Sequence, residues 1–188
     1  MDPSMKQEKG SSAFRMLLIL AVVFAGAIFI YQSWHSGRDK GVSKTRLSDL
    51  MGSVDTPPFT LKNIHGEEFS SSRLTGKPAV INFFTTWCPA CLEEIPGFIE
   101  VYEKYKESGF ELIGIVLNAD AETLPAFIAA RNINYRILLG NMETVRTYGG
   151  FSSVPTTFMI GKDGKIKNIL RGYISKDVFE TEVRKLLQ

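Results

Sequence analysis

The segment Thr85-Thr-Trp-Cys-Pro-Ala-Cys91 (TTWCPAC) contains both cysteines of the 188-residue chain. Two thiols three positions apart have three common explanations: half of a structural metal site, an attachment point for haem, or a redox-active dithiol. A multi-bridge disulfide scaffold is excluded, because it needs at least four cysteines. The residues on either side of the segment decide among the three.

A buried strand is predicted before the cysteine pair and an amphipathic helix after it. The run at 78–85 (PAVINFFT) is short and mainly apolar, which is typical of a strand buried on both faces. From residue 89 to residue 108, apolar positions recur at steps of four and three, which predicts a helix with one buried stripe. The stripe consists of Cys91, Ile95, Phe98, Tyr102 and Tyr105.

This arrangement gives the two thiols different environments. Cys88 precedes the helix, and Pro89 takes its first position, where a missing N–H has no cost. The Cys88 sulfur therefore lies at the positive end of the helix dipole, which favours the thiolate and lowers the pKa of the thiol. Cys91 starts the buried stripe. We expect an exposed, activated Cys88 and a shielded, resolving Cys91.

Metal and haem sites lack the further residues that they need. Structural zinc takes four ligands, and the chain offers only His35, in a predicted tether, and His65, in a predicted turn. Covalent haem attachment needs a histidine after the second cysteine, where this chain has Leu92. Two inert core cysteines are the remaining alternative to a redox dithiol. We predict a redox-active pair, with no metal and no bound cofactor.

The N-terminal part of the chain contains a candidate membrane anchor. Residues 16–31 (MLLILAVVFAGAIFIY) carry no charge, and with Ala13 and Phe14 they just reach the length that a bilayer core requires. A cleaved signal peptide, with Ala25-Gly26-Ala27 as the cut site, and a buried core helix are the alternatives. Basic residues flank the run on both sides, so charge gives no orientation. A single N-terminal span usually exports the domain behind it, which predicts an extracytoplasmic domain.

The predicted organisation is a short tail at 1–13, a transmembrane anchor at 14–32, a tether at 33–53 and a globular domain at 54–188. Within the domain, strands are predicted at 78–85, 110–117, 135–139, 156–160 and 165–171, and helices at 89–108, 121–131, 141–148 and 175–187. This order predicts an α/β sandwich whose sheet is parallel in the middle and antiparallel at the end.

Composition and charge limit the classes of binding partner that the chain favours. Hydrophobic residues make up 44% of the chain, enough for a packed core, and 22 basic residues against 20 acidic ones leave a net charge of +2. Such a balance favours neither a nucleic acid nor a strongly acidic partner.

Two segments resemble the thioredoxin superfamily. Residues 82–91 (NFFTTWCPAC) resemble its active-site segment, and residues 154–158 (VPTTF) resemble its cis-proline loop. The closest likeness is to membrane-anchored TlpA/ResA/CcmG-type thiol–disulfide oxidoreductases, over residues 55–188. The motif of peroxiredoxins, with Pro and Thr ahead of the cysteine, is absent. The resemblance implies a thioredoxin-like fold, a central mixed sheet flanked by helices, with an extra strand and helix between Phe110 and Tyr148.

The resemblance also implies roles for individual residues. Cys88 becomes the attacking thiol and Cys91 the resolving one. Trp87 packs beside them, and Pro155, after Val154, is the cis-proline that faces the disulfide. Val-Pro is a physically sensible place for a cis bond, because cis peptide bonds are essentially confined to proline.

Four further positions bear on proton handling and redox potential. Asn82 stands where thioredoxin has a buried aspartate, and we expect it to form a hydrogen bond inside the sheet. Glu94 matches a glutamate that tunes the thiols in ResA-like proteins, and it is expected to accept or return the proton of Cys91; the alternative is a solvated surface glutamate. The Pro89–Ala90 pair helps to set the potential. Proline after the first cysteine occurs in DsbA-like oxidants and in CcmG-like reductants, so the direction of electron flow stays open.

The functional expectation is a membrane-tethered, extracytoplasmic thiol–disulfide oxidoreductase. The resemblance implies a client protein with a disulfide, apocytochrome c being the favoured example, and a membrane thiol reductase of the DsbD/CcdA type that restores the dithiol. The first alternative is an oxidase or isomerase of secreted proteins. The second is a non-catalytic chaperone or metal-handling module that uses the same fold.

Overall fold

A computed structural model describes residues 54–188 and, before them, position 26 alone. The predicted tail, anchor and tether therefore lie outside the described residues, apart from that one position. Among the residues that are described, no helix is long and apolar enough to cross a membrane.

The domain contains seven strands and four α-helices between residues 54 and 188. In chain order they are β1 (Thr60–Lys62), β2 (Glu68–Ser70), β3 (Ala79–Phe84), α1 (Pro89–Tyr105), β4 (Glu111–Val116), α2 (Leu124–Ala130), β5 (Arg136–Leu139), α3 (Met142–Thr147), β6 (Thr156–Ile160), β7 (Ile166–Arg171) and α4 (Lys176–Leu187). Two 3₁₀ turns, Ser71–Leu74 and Lys106–Ser108, follow β2 and α1.

Five of the strands form one mixed sheet in the order β5-β4-β3-β6-β7. β3 pairs in parallel with β4, and β4 with β5, whereas β6 and β7 are antiparallel to their neighbours. The predicted sheet, parallel in the middle and antiparallel at the end, is confirmed. β3 is central, so its C-terminal end, where the cysteine segment begins, lies in the middle of the sheet edge.

Side chains of β3 alternate between two hydrophobic cores, one on each face of the sheet. Val80 and Phe84 belong to one core, and Ile81 and Phe83 to the other. Because side chains of a strand alternate with a period of two, Asn82 lies on the same face as Val80 and Phe84. Helices α1 and α4 pack on that face, so the side-chain amide of Asn82 meets α1.

Helix α1 buries a slightly different stripe from the one that its apolar pattern predicts. Val101 and Glu94 are buried in addition to Cys91, Ile95 and Phe98, while Tyr102 and Tyr105 are only partly buried. The hydroxyl of a tyrosine needs a partner or water, and the Tyr105 hydroxyl donates to Glu180 on α4 at 2.9 Å. The two helices pack through stacked Phe98 and Phe179 rings, with centroids 4.0 Å apart.

A short hairpin, β1–β2, was not predicted. Each of its strands has three residues, too few to show an alternating pattern. Its turn is held by Asn63, whose side-chain oxygen accepts the backbone N–H groups of His65 and Glu67 at 2.9 Å. Gly66 adopts a φ of 78°, which glycine tolerates without strain.

Two helix boundaries differ by three residues from the sequence prediction. Helix α2 begins at Leu124 rather than 121, because the Asp120 side chain accepts the Glu122 N–H and holds a turn there. Helix α1 ends at Tyr105, and the last predicted turn is 3₁₀. Two predicted helix ends lie where expected. Ser175 caps the start of α4, and the Gly149–Gly150 pair closes α3.

The close approach of β4 to its neighbours generates a stability prediction. A Cβ on Gly114 would lie 2.6 Å from Cδ1 of Ile137 and 3.1 Å from Cε1 of Phe84. We expect Gly114→Ala to lower the free energy of unfolding by about 1–3 kcal/mol, the usual cost of overpacking. Chemical denaturation measures this loss.

A second substitution tests the cause of the loss. Ile137→Val removes the Cδ1 atom that the new methyl group meets, so Gly114→Ala combined with Ile137→Val should be more stable than the sum of the two single effects predicts. Strict additivity would show that the loss has another origin.

Candidate active site

The two cysteines form a disulfide where β3 passes into α1. Cys88 is the N-cap residue of the helix, in an extended conformation, and Pro89 occupies the first helical position. The Cys88 sulfur accepts the backbone N–H of Cys91 at 3.3 Å, and the two Cα atoms are 5.3 Å apart, within the usual disulfide range. The N-terminal N–H groups of the helix would stabilise a thiolate at this sulfur.

The cysteines differ in exposure, but less than the sequence predicts. Cys88 is 7% exposed and Cys91 is 1% exposed. The expectation of an exposed Cys88 is therefore corrected for the disulfide form. The cause is the loop before β6, whose Val154 carbonyl oxygen lies 3.8 Å from the Cys88 sulfur and covers it. Cys88 remains the more accessible of the two sulfurs.

The loop over the disulfide contains the Val154–Pro155 peptide bond, which is cis, as the resemblance implies. Pro155 is buried, and its carbonyl accepts the Gly172 N–H at 2.9 Å. That bond ties the loop to the segment between β7 and α4. On the other side of the sulfurs, Pro89 is exposed and Ala90 is partly buried, so the dipeptide between the cysteines lies at the protein surface.

Trp87 is placed differently from the sequence expectation of a side chain packed beside the cysteines. Its side chain is 69% exposed, because it occupies the turn between β3 and α1 at the sheet edge. It lines a groove that also includes Val154 and Phe151. Most of the indole therefore faces solvent next to the disulfide.

Glu94 is buried between α1 and the sheet rather than solvated on the surface of α1. It is 2% exposed. The Asn82 side-chain amide donates to Glu94 Oε1 at 2.9 Å, and the Ile174 N–H donates to Oε2 at 3.3 Å. The same Asn82 amide donates to the Thr157 hydroxyl at 3.0 Å. Asn82 thus forms the expected hydrogen bond inside the sheet, to Thr157. A second hydrogen bond from the same amide holds the carboxyl group of Glu94.

Burial controls the protonation of this carboxyl group. Desolvation raises the pKa of Glu94 to about 8, although the hydrogen bonds from Asn82 and Ile174 act in the opposite direction. Glu94 lies one helical turn from Cys91 on α1. A carboxyl group whose pKa burial raises to about 8, one helical turn from a shielded thiol, has the protonation range that proton exchange with a thiol requires.

Sequence reasoning missed Thr157, the second partner of the Asn82 amide. The two residues are direct cross-strand partners in the antiparallel pairing of β3 with β6. Only the register between these strands brings them together. Thr157 lies two residues after the cis-proline, and this closeness to the motif was the sequence feature that could have pointed to its role.

Within residues 54–188, no group of three or more His, Cys, Asp or Glu side chains is placed to hold a metal ion. His65 lies in the β1–β2 turn, and His35 lies outside the described residues. The redox centre of the described domain is the Cys88–Cys91 pair itself.

The buried carboxyl group predicts a specific dependence of stability on pH in the oxidised protein. The pKa of Glu94 is about 8 in the folded chain, against an ordinary value of 4.5. Between these values the folded state binds more protons, so the free energy of unfolding falls as pH rises from about 4.5 to about 8, by at most about 1.4 kcal/mol per unit. Glu94→Gln should flatten this slope, as measured by denaturation at several pH values.

The control is Glu93→Gln, an exposed neighbour on the same helix turn, which should keep the native slope. Glutamine at 94 loses one hydrogen bond, because its NH₂ group meets a donor, so the absolute stability is not the readout. Parallel pH profiles for the native protein and Glu94→Gln would contradict the assignment.

Comparison with known proteins places this geometry in a family. The sequence profile of the AhpC/TSA family matches residues 53–169. The chain is 27% identical over 180 residues to the thiol-disulfide oxidoreductase ResA of Bacillus cereus (strain ATCC 10987 / NRS 248), covering 95% of this chain and 98% of the relative.

Solved structures agree with the sequence relatives. A thiol:disulfide interchange protein of the thioredoxin family from Chlorobium tepidum TLS superposes with a TM-score of 0.68 and 30% identity, over 72% of this chain and 97% of that protein. A secreted Mycobacterium tuberculosis disulfide oxidoreductase, homologous to E. coli DsbE, superposes with a TM-score of 0.62 and 26% identity, over 68% and 96%. With its cysteine pair at the head of α1, the chain belongs to the AhpC/TSA family and is a thiol–disulfide oxidoreductase with a thioredoxin-like fold.

Proposed function

We propose that the protein is a membrane-tethered reductase of client disulfides on the extracytoplasmic side, with apocytochrome c as its client class. The observation that carries the thiol chemistry is the Cys88 sulfur at the N-terminus of α1, beneath the cis-proline loop. The membrane tether rests on the apolar run at 16–31. The client class rests on the resemblance to TlpA/ResA/CcmG-type oxidoreductases.

The reaction would begin with the reduced dithiol. The Cys88 thiolate attacks one sulfur of the client disulfide, forming a mixed disulfide and releasing the other client sulfur as a thiolate. Cys91 then loses its proton and attacks the Cys88 sulfur. The second client sulfur leaves, and the Cys88–Cys91 disulfide closes. The client gains the two electrons that the dithiol loses, and its two sulfurs, released as thiolates, take up protons from solvent.

The residues around the dithiol have roles in each step. The Cys91 N–H that now contacts the Cys88 sulfur would stabilise the attacking thiolate. Glu94, as a carboxylate, would take the proton of Cys91 when that thiol attacks, and return it when the dithiol is restored. A membrane thiol reductase of the DsbD/CcdA type would supply the electrons for that restoration.

The direction of electron flow has a direct measurement. We expect the full chain, equilibrated with defined thiol buffers in detergent, to have a reduction potential near that of thioredoxin, about −270 mV. Such a value makes the protein a reductant of strained or exposed disulfides, whose potentials are higher. A value near about −120 mV, as in DsbA, would make it an oxidant and replace the proposed direction with the oxidase alternative.

The client and the compartment are tested by trapping. Cys91→Ser leaves the attacking thiol without its resolving partner, so mixed disulfides with clients should accumulate in the membrane fraction and include c-type cytochrome chains. Cys88→Ser, the matched control, should trap none and should abolish turnover. Trapped complexes found only in the soluble fraction would contradict the tether, and complexes without cytochrome chains would contradict the client class.

A further inference from the structure

The buried carboxyl group of Glu94 has one fixed and one adjustable hydrogen-bond partner. Its Oε2 atom accepts the backbone N–H of Ile174 at 3.3 Å. A backbone N–H only donates, so this contact has the same direction whether the carboxyl group is ionised or protonated. The Oε1 atom accepts the side-chain amide of Asn82 at 2.9 Å. An asparagine amide carries both a donor and an acceptor, so the direction of this second contact is able to change.

Protonation of Glu94 creates a conflict at the contact with Asn82. The Asn82 NH₂ group donates to Oε1 of Glu94 and to the hydroxyl oxygen of Thr157 at 2.9 Å and 3.0 Å. A proton on the side of Oε1 that faces Asn82 would point at an N–H hydrogen, and two donors do not form a hydrogen bond. Glu94, Asn82 and Thr157 are 2%, 3% and 0% exposed. An unmatched pair of donors is costly at such a buried position.

A half-turn of the Asn82 amide about its terminal bond removes the conflict. The amide oxygen and nitrogen have nearly the same size, so the rotation places Oδ1 where Nδ2 now lies. Oδ1 has two lone pairs, which are able to accept the O–H of a protonated Glu94 and the O–H of Thr157. Thr157 suits both arrangements, because a hydroxyl donates or accepts by rotating its hydrogen. Each charge state of the carboxyl group therefore keeps both contacts.

The backbone holds the three side chains in place for this exchange. Asn82 and Thr157 are direct cross-strand partners in the antiparallel pairing of β3 with β6. Glu94 belongs to α1, which packs on the same face of the sheet. β3 is hydrogen-bonded to a neighbour on each side, so it does not move away from the carboxyl group without disrupting the sheet. Rotation of the amide needs no such movement.

The other titratable groups that face Glu94 do not change charge over the same pH range. On α1, Cys88 and Cys91 carry no proton while they form the disulfide. Tyr135, directly before β5, is buried, and burial together with the charge of Glu94 raises the pKa of its hydroxyl well above the ordinary value. A rearrangement that occurs near neutral pH in the oxidised protein is therefore assigned to Glu94.

We propose that Asn82 and Thr157 are positioning residues for Glu94, and that the Asn82 amide reverses each time the carboxyl group gains or loses its proton. The ionised carboxyl group accepts an N–H from Asn82, and the protonated one donates its O–H to the same side chain. Thr157 accepts in the first state and donates in the second. The pair thereby stabilises both charge states of a buried acid, which a fixed donor or a fixed acceptor does not do.

The use of this reversal in catalysis rests on the proposed function, in which Glu94 takes the proton of Cys91 and later returns it. A base in that role passes repeatedly between its two charge states. The reversal itself concerns the carboxyl group alone, so it is measured in the oxidised protein, where no thiol takes part.

Nuclear magnetic resonance of the oxidised full chain in detergent tests the reversal directly. The pKa of Glu94 is about 8, so the carboxyl group is almost fully ionised at about pH 10 and almost fully protonated at about pH 6. We expect nuclear Overhauser effects between the Asn82 NH₂ protons and Thr157 at the higher pH. These effects should weaken several-fold at the lower pH, because the NH₂ group turns away. Equal effects at both pH values would overturn the reversal.

Thr157→Val tests the positioning role, because it removes the hydroxyl with little change of shape. A buried N–H without an acceptor is more costly than a carbonyl oxygen that loses one of two donors, so the ionised state of Glu94 loses more stabilisation than the protonated one. The pKa of Glu94 should rise by about half a unit to one unit, the worth of one hydrogen bond. The chemical shift of the carboxyl carbon measures it. Thr157→Ser keeps the hydroxyl and should restore the native pKa.

Thr144→Val is the matched control. Thr144 is also a buried threonine whose hydroxyl bonds an asparagine side chain, that of Asn141 at 2.9 Å, but it belongs to α3. This variant should lose stability without moving the pKa of Glu94. An equal rise in Thr144→Val and Thr157→Val would show a general loosening of the fold and would overturn the positioning role.

A kinetic measurement separates this inference from the proposed function. Stopped-flow oxidation of the reduced full chain by glutathione disulfide follows closure of the Cys88–Cys91 disulfide as a function of pH. If Glu94 takes the proton of Cys91, Thr157→Val should move the midpoint of this profile to higher pH, together with the pKa of Glu94, and Thr157→Ser should not. A midpoint that stays while the pKa of Glu94 moves would overturn the catalytic use of Glu94 and leave the reversal standing. A pKa of Glu94 that Thr157→Val leaves unchanged would overturn the positioning role and leave thiol–disulfide exchange by Cys88 intact.

Discussion

The junction between the central strand β3 and helix α1 is the constraint on which the rest of the site depends. β3 is hydrogen-bonded on both sides and buried on both faces, so its C-terminal end cannot move without disrupting the sheet. The helix that follows begins with a cysteine as its N-cap and a proline in its first position. The Cys88 sulfur thereby takes the place of the side-chain oxygen that usually caps a helix, and accepts an N–H at the positive end of the dipole. Redox chemistry and helix initiation use the same atom.

A buried polar network joins helix α1, which carries the dithiol, to the sheet. Asn82 on β3 donates to Glu94 on α1 and to Thr157 on β6, and the Ile174 N–H ahead of α4 donates to the same carboxyl group. Burial would otherwise make a carboxylate very costly, and these donors make its ionised form accessible near neutral pH. An uncharged asparagine suits this position, since a second acid would place two carboxyl groups within hydrogen-bonding distance and raise the pKa of one of them further.

The dithiol and the groove beside it come from different parts of the chain. The dithiol, its helix and Glu94 lie within the continuous stretch from β3 to α1. The groove that Trp87 lines is completed by residues of α3 and of the loop before the cis-proline, which reach the dithiol only through the fold.

The sequence alone determined the reactive pair, the helix behind it, the mixed sheet and the cis-proline, because each depends on residues close together in the chain or on a motif. Its apolar periodicity placed Cys91 on the buried stripe correctly. Tertiary structure decided what depends on contacts between distant segments. The Val154 carbonyl covers Cys88, the β3–β6 register brings Thr157 to Asn82, and Trp87 is left in solvent because no described element packs over its turn. Tertiary structure also decided the burial of Glu94, because a glutamate on a helix is stable in the protein interior only where other strands and loops supply its hydrogen bonds.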